Sequence, residues 1–372
     1  MNDYNKIINI NNKQNICIDK RNYGIDLLRI ISMINIINLH INLTSGLNVM
    51  KPESKKYKSL WRLETMSFFG VNCFGLISGI VGFKHSKLSK LVYLWILVTF
   101  YSIFTSLYLY SIKQISISEL LLSFCPILVR KHWYFNAYFS MYLYIPFINI
   151  GINNLNQFYF KNLVIFIILF SCFYDVVGKI VNKNNYHFLN FGYSSLWLIT
   201  LYIIGAYIGK FVITNKRKIN RFFLIFYILL YFSSSLLGSE IFFLTDNKVL
   251  ISYLSPTILF EAISLIMIFS RLKIDIKWIK KTISFFSSLT FGIYLLHASE
   301  FPRQINIIGT VFGFSKRFQS NFIFFKVYGL SIIIFFALSI IDYLRAIIFK
   351  FLKIRNLSII LEKFLLNLRI RL

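Results

Sequence analysis

The chain has 372 residues, of which 57% are hydrophobic and 19% aromatic, while only 15% are charged. Soluble domains carry about 25% charged residues, and a soluble protein this apolar could not cover itself with polar surface. Lipid solvates apolar side chains but not backbone polar groups, so membrane-spanning segments must be helices or a closed barrel. The apolar runs are about 20 residues long and do not alternate, which favours helices. The composition therefore predicts an all-α, polytopic membrane protein.

The formal net charge of +27 is distributed in short clusters of Lys and Arg between the apolar runs. Such clusters are typical of the cytoplasmic loops of membrane proteins, where anionic lipid head groups are their neighbours. We therefore expect membrane lipids, and no nucleic acid, as partners of this charge. The four cysteines form no CxxC pair and no metal-ligand spacing, so neither a disulfide framework nor a metal site is predicted.

About ten apolar segments have the length of a transmembrane helix. They cover residues 25–45, 66–83, 91–112, 133–153, 162–180, 191–211, 222–240, 248–270, 283–300 and 321–349. Residues 114–129 are moderately apolar, which indicates a short re-entrant or interfacial segment. Residues 350–372 alternate apolar and basic residues at helical spacing, as in an amphipathic surface helix. The sequence thus predicts a cytoplasmic segment 1–24, a membrane domain 25–349 and a basic cytoplasmic tail 350–372.

The distribution of Lys and Arg predicts that both termini are cytoplasmic, because the N-terminal segment, the even-numbered loops and the C-terminal tail hold most of them. Residues 1–24 are polar and lack a signal-peptide pattern, so we expect the first apolar segment to remain as an anchor. The first outside loop departs from this distribution. Its basic residues are Lys51, Lys55, Lys56, Lys58 and Arg62. Either one span is misassigned or this loop has an external anionic partner.

Ionisable side chains inside a membrane span are costly and therefore mark functional candidates. In the first span, Asp26 and Arg29 are three residues apart, so they share a helix face and can neutralise each other. His40 returns to nearly the same face as Arg29 after a rise of about 16 Å. The alternative is structural, with Arg29 anchoring the helix at the interface and His40 bonded to a neighbouring helix. His85 and His187 lie in predicted loops and are assigned no role.

Further polar candidates lie in and after the second span. Ser78 offers a hydroxyl, although Gly75 and Gly79 beside it are typical of close helix packing. Lys87 and Lys90 follow in the next inside loop. They either bind phosphate or belong to the ordinary cluster of positive charge on the cytoplasmic side.

Aromatic residues and a second histidine lie at the predicted outer face. Trp133 and Tyr134 open the fourth span, as in an aromatic belt. Tyr294 and His297 share a helix face at the outer end of the ninth span. A histidine at the depth of His40 predicts a polar pocket open to the outside, and an interfacial histidine is the alternative.

Five segments occur in the order of motifs in a family of membrane acyltransferases that O-acetylate sugars of the bacterial envelope, often called acyltransferase 3. The similar segments are Ile25–Arg29 with His40, Phe74–Gly79, His132–Phe135 with Pro146, Tyr202–Gly209, and Phe291–His297. Together they extend the resemblance over roughly residues 22–345. The chain departs from the family pattern after the second span, where Lys87 and Lys90 stand without the usual arginines and proline. It also lacks the fused extracytoplasmic hydrolase-like domain, so we expect a stand-alone transferase.

The resemblance implies a ten-helix enzyme of the plasma membrane that passes an acyl group, usually acetyl, from cytoplasmic acetyl-CoA to a sugar hydroxyl on a lipid-linked or exported glycan. Arg29 would meet the CoA phosphates, Asp26 would orient Arg29, and His40 would act as general base or become transiently acylated. No metal is expected. The substrate-binding candidates are Ser78, Lys87, Lys90, Trp133, Tyr294 and His297.

Two alternatives belong to other functional classes. A glycan exporter or other transporter would also place charges inside the membrane, but the sequence shows no inverted repeat and no paired broken helices. A glycan polymerase or ligase would need large external loops, whereas most outside loops here are short. Richness in Ile, Asn, Lys and Phe indicates an AT-rich bacterial genome, for which a capsular or cell-wall glycan is the working hypothesis.

Overall fold

The computed structural model describes most of the chain, and all of its regular secondary structure in the described part is helical. The described residues are 21–44, 47, 51–52, 54–84, 87–128, 132–181, 189–214, 221–298 and 322–370. The α-helices in these ranges are α1 (Tyr23–Thr44), α2 (Lys55–Thr65), α3 (Phe69–Gly82), α4 (Leu88–Ser111), α5 (Ile117–Leu122), α6 (Trp133–Asn154), α7 (Gln157–Ile180), α8 (Ser195–Tyr207), α9 (Arg221–Thr245), α10 (Pro256–Phe269), α11 (Lys277–His297), α12 (Ile323–Phe351) and α13 (Ile354–Ile370). The all-α class predicted from the sequence is confirmed.

Seven described segments are long and apolar enough to cross a membrane. They are Tyr23–Asn42, Lys55–Gly82, Leu88–Ser111, Gln157–Ile180, Ser195–Ile213, Arg221–Thr245 and Ile323–Phe351. Helix α10 is apolar but has only 14 residues. Helices α6 and α11 have 22 and 21 residues, but Tyr and Asn in α6 and Lys in α11 lower their mean hydropathy. The chain is a multi-pass membrane protein, and the predicted number of about ten spans is not confirmed.

The second half of the predicted outside loop 46–65 is instead helical, which corrects that boundary. Helix α2 begins after Ser54, whose side chain accepts a hydrogen bond from the backbone N–H of Tyr57. One face of α2 is buried, including Leu60 and Trp61, while Lys55 is exposed. The lysines on the exposed face lower the mean hydropathy of this stretch, so the sequence-based span began too late. Residues 46, 48–50 and 53 of the predicted loop lie outside the described residues.

Helices α3 and α8 pack with their backbones in direct contact. A Cβ atom placed on Gly79 would lie 2.0 Å from the carbonyl oxygen of Tyr202, and one on Gly205 would lie 2.0 Å from that of Leu76. Only glycine fits such an approach, as in other small-residue interfaces of membrane helices. The predicted packing role of Gly79 is therefore confirmed. Helix α1 contacts α3, α10, α11 and α12, so it lies inside the bundle.

Two buried ion pairs connect helices away from α1. Asp342 of α12 binds Arg345 at 2.6 Å and accepts a hydrogen bond from the Tyr101 hydroxyl of α4 at 2.7 Å. Asp175 and Lys179 of α7 form a 2.6 Å pair, and Lys179 also donates to the carbonyl of Val249. Each charge has its partner in place, which is the condition for keeping ions inside a membrane protein.

Candidate active site

One end of the predicted site, near the start of α1, is built around the carboxylate of Asp26. This side chain is only 3% exposed. It accepts hydrogen bonds from Arg29 at 2.7 Å and from the hydroxyl of Ser287 at 3.2 Å, and Arg21 also donates to it. Asp26 therefore fixes the guanidinium of Arg29 on α1 and links α1 to α11. The pairing of Asp26 with Arg29 predicted from their spacing is present.

The opposite ends of α1 and α11 bring two histidines together. The ring centroids of His40 and His297 lie 5.0 Å apart, with their planes at 43°. Nδ1 of His297 lies 2.8 Å from the carbonyl oxygen of Ile293, so this nitrogen carries the proton and donates. In the neutral ring Nε2 is then an acceptor, and it is buried without a hydrogen-bond partner among the described residues. The ring of His297 thus presents an unused acceptor beside His40.

A cavity of about 100 Å³ lies next to His40. Its walls come from α1, α2, α3, α6 and α11 and from three residues between helices, Phe68, Tyr193 and Tyr253. The predicted residues Trp133 and Tyr294 line it, with mostly aromatic neighbours. Concave sites with many apolar groups and few polar ones are typical of ligand-binding pockets in proteins.

Glu64 is an acidic residue of this cavity that the sequence analysis missed. It is 3% exposed and accepts a hydrogen bond from the side-chain amide of Asn42 at 2.9 Å. Glu64 was not considered because residues 46–65 were assigned to a loop. A carboxylate beside lysines is common in an exposed loop and does not indicate a site. The helical spacing of Tyr57, Leu60, Trp61 and Glu64 would have placed it on a buried face.

Three aromatic rings from separate parts of the chain form one wall of the cavity. The ring centroid of Trp133 lies 4.5 Å from that of Tyr193, and Tyr193 lies 5.2 Å from Tyr253. Tyr193 and Tyr253 were not predicted, because they follow from how loops fold against α6. Flat aromatic faces of this kind offer large contact area together with polar groups at their edges.

A row of tyrosines along one face of α6 leads away from the cavity. Tyr134 lines the cavity, and the centroid distances from Tyr134 to Tyr138 and from Tyr138 to Tyr142 are 6.2 and 6.0 Å. Tyr138 lies within hydrogen-bonding reach of Ser78 and interacts electrostatically with Arg29. The hydroxyl of Tyr142 donates to the backbone carbonyl of Lys87 at 2.8 Å. The residues Tyr134, Tyr138 and Tyr142, called here the tyrosine row, connect the cavity with the start of α4.

The structure therefore divides the predicted site residues into two groups. His40, Trp133, Tyr294 and His297 lie at or beside the cavity. Asp26, Arg29, Ser78, Lys87 and Lys90 do not line it. The hydroxyl of Ser78 donates to the carbonyl of Phe74, and both lysines are exposed at the other end of the tyrosine row. Within the described ranges, no three His, Cys, Asp or Glu side chains are grouped to hold a metal ion.

The chain matches a known protein family over most of its length. The profile of the acyltransferase 3 family, described as an acyltransferase domain, matches residues 22–341. The chain belongs to the acyltransferase 3 family. This match covers nearly the whole chain and includes every residue from Asp26 to His297. No curated protein and no solved structure is significantly similar to the chain. As a member of the acyltransferase 3 family, the protein is a membrane acyltransferase that needs an acyl donor and an acceptor.

Proposed function

We propose that this protein is an O-acetyltransferase of the plasma membrane. It moves an acetyl group from cytoplasmic acetyl-CoA to a sugar hydroxyl of a cell-surface or lipid-linked polysaccharide. The observation that carries this proposal is the His40–His297 pair beside an aromatic cavity, connected by the tyrosine row to Arg29 and the lysines of α4. With both termini in the cytoplasm, the lysines face the donor and the histidines face the acceptor.

The donor is proposed to enter from the end of the bundle that carries Lys87 and Lys90. Both side chains are exposed and carry positive charge suited to CoA phosphates. Arg29 lies deeper and is held by Asp26, so its planar guanidinium is oriented before a phosphate or carbonyl oxygen arrives. Ser78 lies beside Tyr138 on the same path. The thioester would then follow the tyrosine row towards His40.

His40 is the proposed catalytic base. Its ring takes the proton of the sugar hydroxyl while the hydroxyl oxygen attacks the thioester carbonyl carbon. The new C–O bond forms, the C–S bond breaks, and the CoA thiolate recovers the proton from His40. Transfer by way of an acetylated His40 remains the alternative route to the same products. Either route needs a neutral imidazole at the position where donor and acceptor meet.

The acceptor sugar is proposed to bind on the side of the cavity formed by aromatic rings. Trp133, Tyr193 and Tyr253 offer flat faces to the apolar side of a sugar ring. The free Nε2 of His297 accepts a hydrogen bond from the reacting or neighbouring hydroxyl. Glu64 supplies a second acceptor in the same cavity. The ring of Tyr294 contacts those of His297 and of Tyr134 on α6, where it is proposed to limit the size of the sugar.

The test is the acetylation of surface polysaccharide in the producing cells. Proton NMR of the polysaccharide should show base-labile acetyl methyl signals that disappear when the gene is deleted or carries His40→Ala. His187→Ala is the matched control, because it removes a histidine of a predicted loop to which no role is assigned. Membrane levels of all variants are measured by immunoblotting.

Two outcomes would overturn the proposal. Full acetylation with His40→Ala excludes the proposed base. Unchanged acetyl content with a changed amount of surface polysaccharide favours the glycan-exporter alternative. Membership in an acyltransferase family counts against that alternative.

A further inference from the structure

A second cavity, of about 430 Å³, lies on the other side of α2. We call it the basic groove. Its positive side is formed by Lys55, Lys58 and Arg62 of α2, and its remaining walls come from α9 and from Phe324 at the start of α12. These cations belong to the segment that the charge distribution places outside, where basic residues are normally scarce.

The basic groove keeps a surplus of positive charge. Arg62 forms a 2.6 Å salt bridge with Glu240, and both side chains are about half exposed. Among the described residues, no carboxylate lies within salt-bridge distance of Lys55 or Lys58. Lys58 lies only over the ring of Phe243, at 5.8 Å from its centroid. Two positive charges therefore remain for an anionic ligand.

The wall opposite these cations is suited to a hydrocarbon chain. Ser235 and Ser239 are buried one turn apart on α9, and small side chains leave a shallow channel along the helix. Phe232 and Leu236 flank this channel and are about half exposed. A groove with cations at one side and an apolar floor at the other matches an amphiphile with a charged head and a hydrocarbon tail.

The basic groove and the reaction cavity lie on opposite faces of one helix. Arg62 lines the groove and Glu64 lines the cavity. Side chains two positions apart on an α-helix point in directions that differ by about 200°. The helix with its side chains is about 10 Å wide. A sugar attached to a head group in the groove therefore lies within roughly one helix diameter of the cavity that contains His40.

From these observations we infer that the basic groove binds the diphosphate of a lipid-linked glycan, with the hydrocarbon tail along α9. The inference rests on the proposed function, because it makes this lipid the carrier of the acceptor sugar. A diphosphate diester carries two negative charges, which equal the surplus on Lys55 and Lys58. An ordinary anionic phospholipid has a net charge of one, and a zwitterionic head group has no net charge.

Binding of farnesyl diphosphate to the detergent-solubilised full chain tests this inference. Lys55→Gln combined with Lys58→Gln should weaken binding by about tenfold or more, because two charge-assisted contacts are lost. The matched control is Lys277→Gln with Lys281→Gln, which removes two exposed lysines at the far end of α11. Glu240→Gln should tighten binding, because it releases Arg62 for the ligand. This opposite sign cannot result from misfolding.

Three results would overturn the inference. They are equal binding by the Lys55/Lys58 variant and the control, weaker binding by Glu240→Gln, or equal competition by phosphatidylglycerol, which would make the groove a general phospholipid site. If inorganic pyrophosphate competes as strongly as farnesyl diphosphate itself, the hydrocarbon tail does not contribute to binding. That result would contradict its proposed position along α9.

The result is separable from the acetyltransferase proposal. His40→Ala should bind farnesyl diphosphate normally while it loses acetylation. Normal farnesyl diphosphate binding by the Lys55/Lys58 variant refutes the groove alone, whereas acetylation by His40→Ala refutes the chemistry alone.

Discussion

His40 and His297 lie with their ring centroids 5.0 Å apart, although one belongs to α1 and the other to α11. The tautomer of His297 is defined by its own helix, because the carbonyl of Ile293 accepts from Nδ1, and the ring of His40 lines the cavity. The pair therefore combines a ring oriented by its backbone with a second ring facing the cavity. This asymmetry predicts different consequences for replacing each histidine.

We expect His40→Ala to lower kcat by about 100-fold to 10,000-fold, the contribution typical of general base catalysis. His297→Gln should mainly raise the KM for the acceptor and leave kcat nearly unchanged, because His297 is proposed to bind the acceptor hydroxyl and not to take its proton. Steady-state kinetics with purified protein in lipid nanodiscs measure both. A large fall of kcat in His297→Gln, with KM unchanged, would assign the base to His297 instead.

Arg29→Lys should raise the KM for acetyl-CoA by roughly tenfold or more, because a point charge replaces a bidentate guanidinium held by Asp26. Lys280→Arg provides a control on the same side of the bundle, where Lys280 lies near Tyr23. Titration of acetyl-CoA at saturating acceptor gives the KM for acetyl-CoA of Arg29→Lys and of Lys280→Arg. An unchanged KM in Arg29→Lys would leave Arg29 with a purely structural role.

Trp133→Ala should raise the KM for the acceptor by roughly threefold to tenfold, the range expected from losing one aromatic contact. The control is Trp278→Ala, since Trp278 is 69% exposed and lies outside the cavity. Both variants remove an indole from the membrane domain. Only an increase in the acceptor KM that occurs in Trp133→Ala and not in Trp278→Ala therefore reports on the site. Equal effects of the two substitutions would contradict a sugar-stacking role.

Glu64→Gln should reduce acetyl transfer while the protein stays folded, because glutamine keeps the size of Glu64 and an acceptor oxygen for Asn42. Glu119→Gln is a suitable control, because Glu119 belongs to the short exposed helix α5. Transfer of radiolabelled acetyl from acetyl-CoA to extracted glycan measures the effect. Wild-type transfer by Glu64→Gln would show that the carboxylate charge is unnecessary.

Gly79→Ala should destabilise the protein by about 1–3 kcal/mol, the usual result of overpacking, because the added methyl collides with the carbonyl of Tyr202. Gly151→Ala is the matched control, since a Cβ there meets no atom within 4 Å. Thermal unfolding in detergent is monitored by the thiol labelling of Cys73, which is buried in the folded protein. The Tm values of Gly79→Ala and Gly151→Ala are compared. A similar Tm for both variants would mean that α3 and α8 can separate without cost.

Features that depend on one helix at a time were predicted correctly from the sequence. The spacing of Asp26 and Arg29 is local, and their ion pair follows from helix geometry. Tyr193 and Tyr253 come together through the folding of two distant connections, which periodicity does not encode. Glu64 was missed for another reason, because basic residues on the exposed face of α2 lowered the mean hydropathy of a helix whose other face is buried.

The glycine contact between α3 and α8 also has a consequence for substrate selection. Backbones that touch at Gly79 and Gly205 cannot slide or tilt past each other without breaking this contact. Phe68 before α3 and Tyr193 before α8 therefore belong to a rigid half of the cavity. Under the proposed function, the fitting of differently shaped sugars comes from the other half, where Trp133 begins α6. Substitutions in the half that begins with Trp133 should change which glycans serve as acceptor. Substitutions in the rigid half should change how many different glycans serve as acceptor.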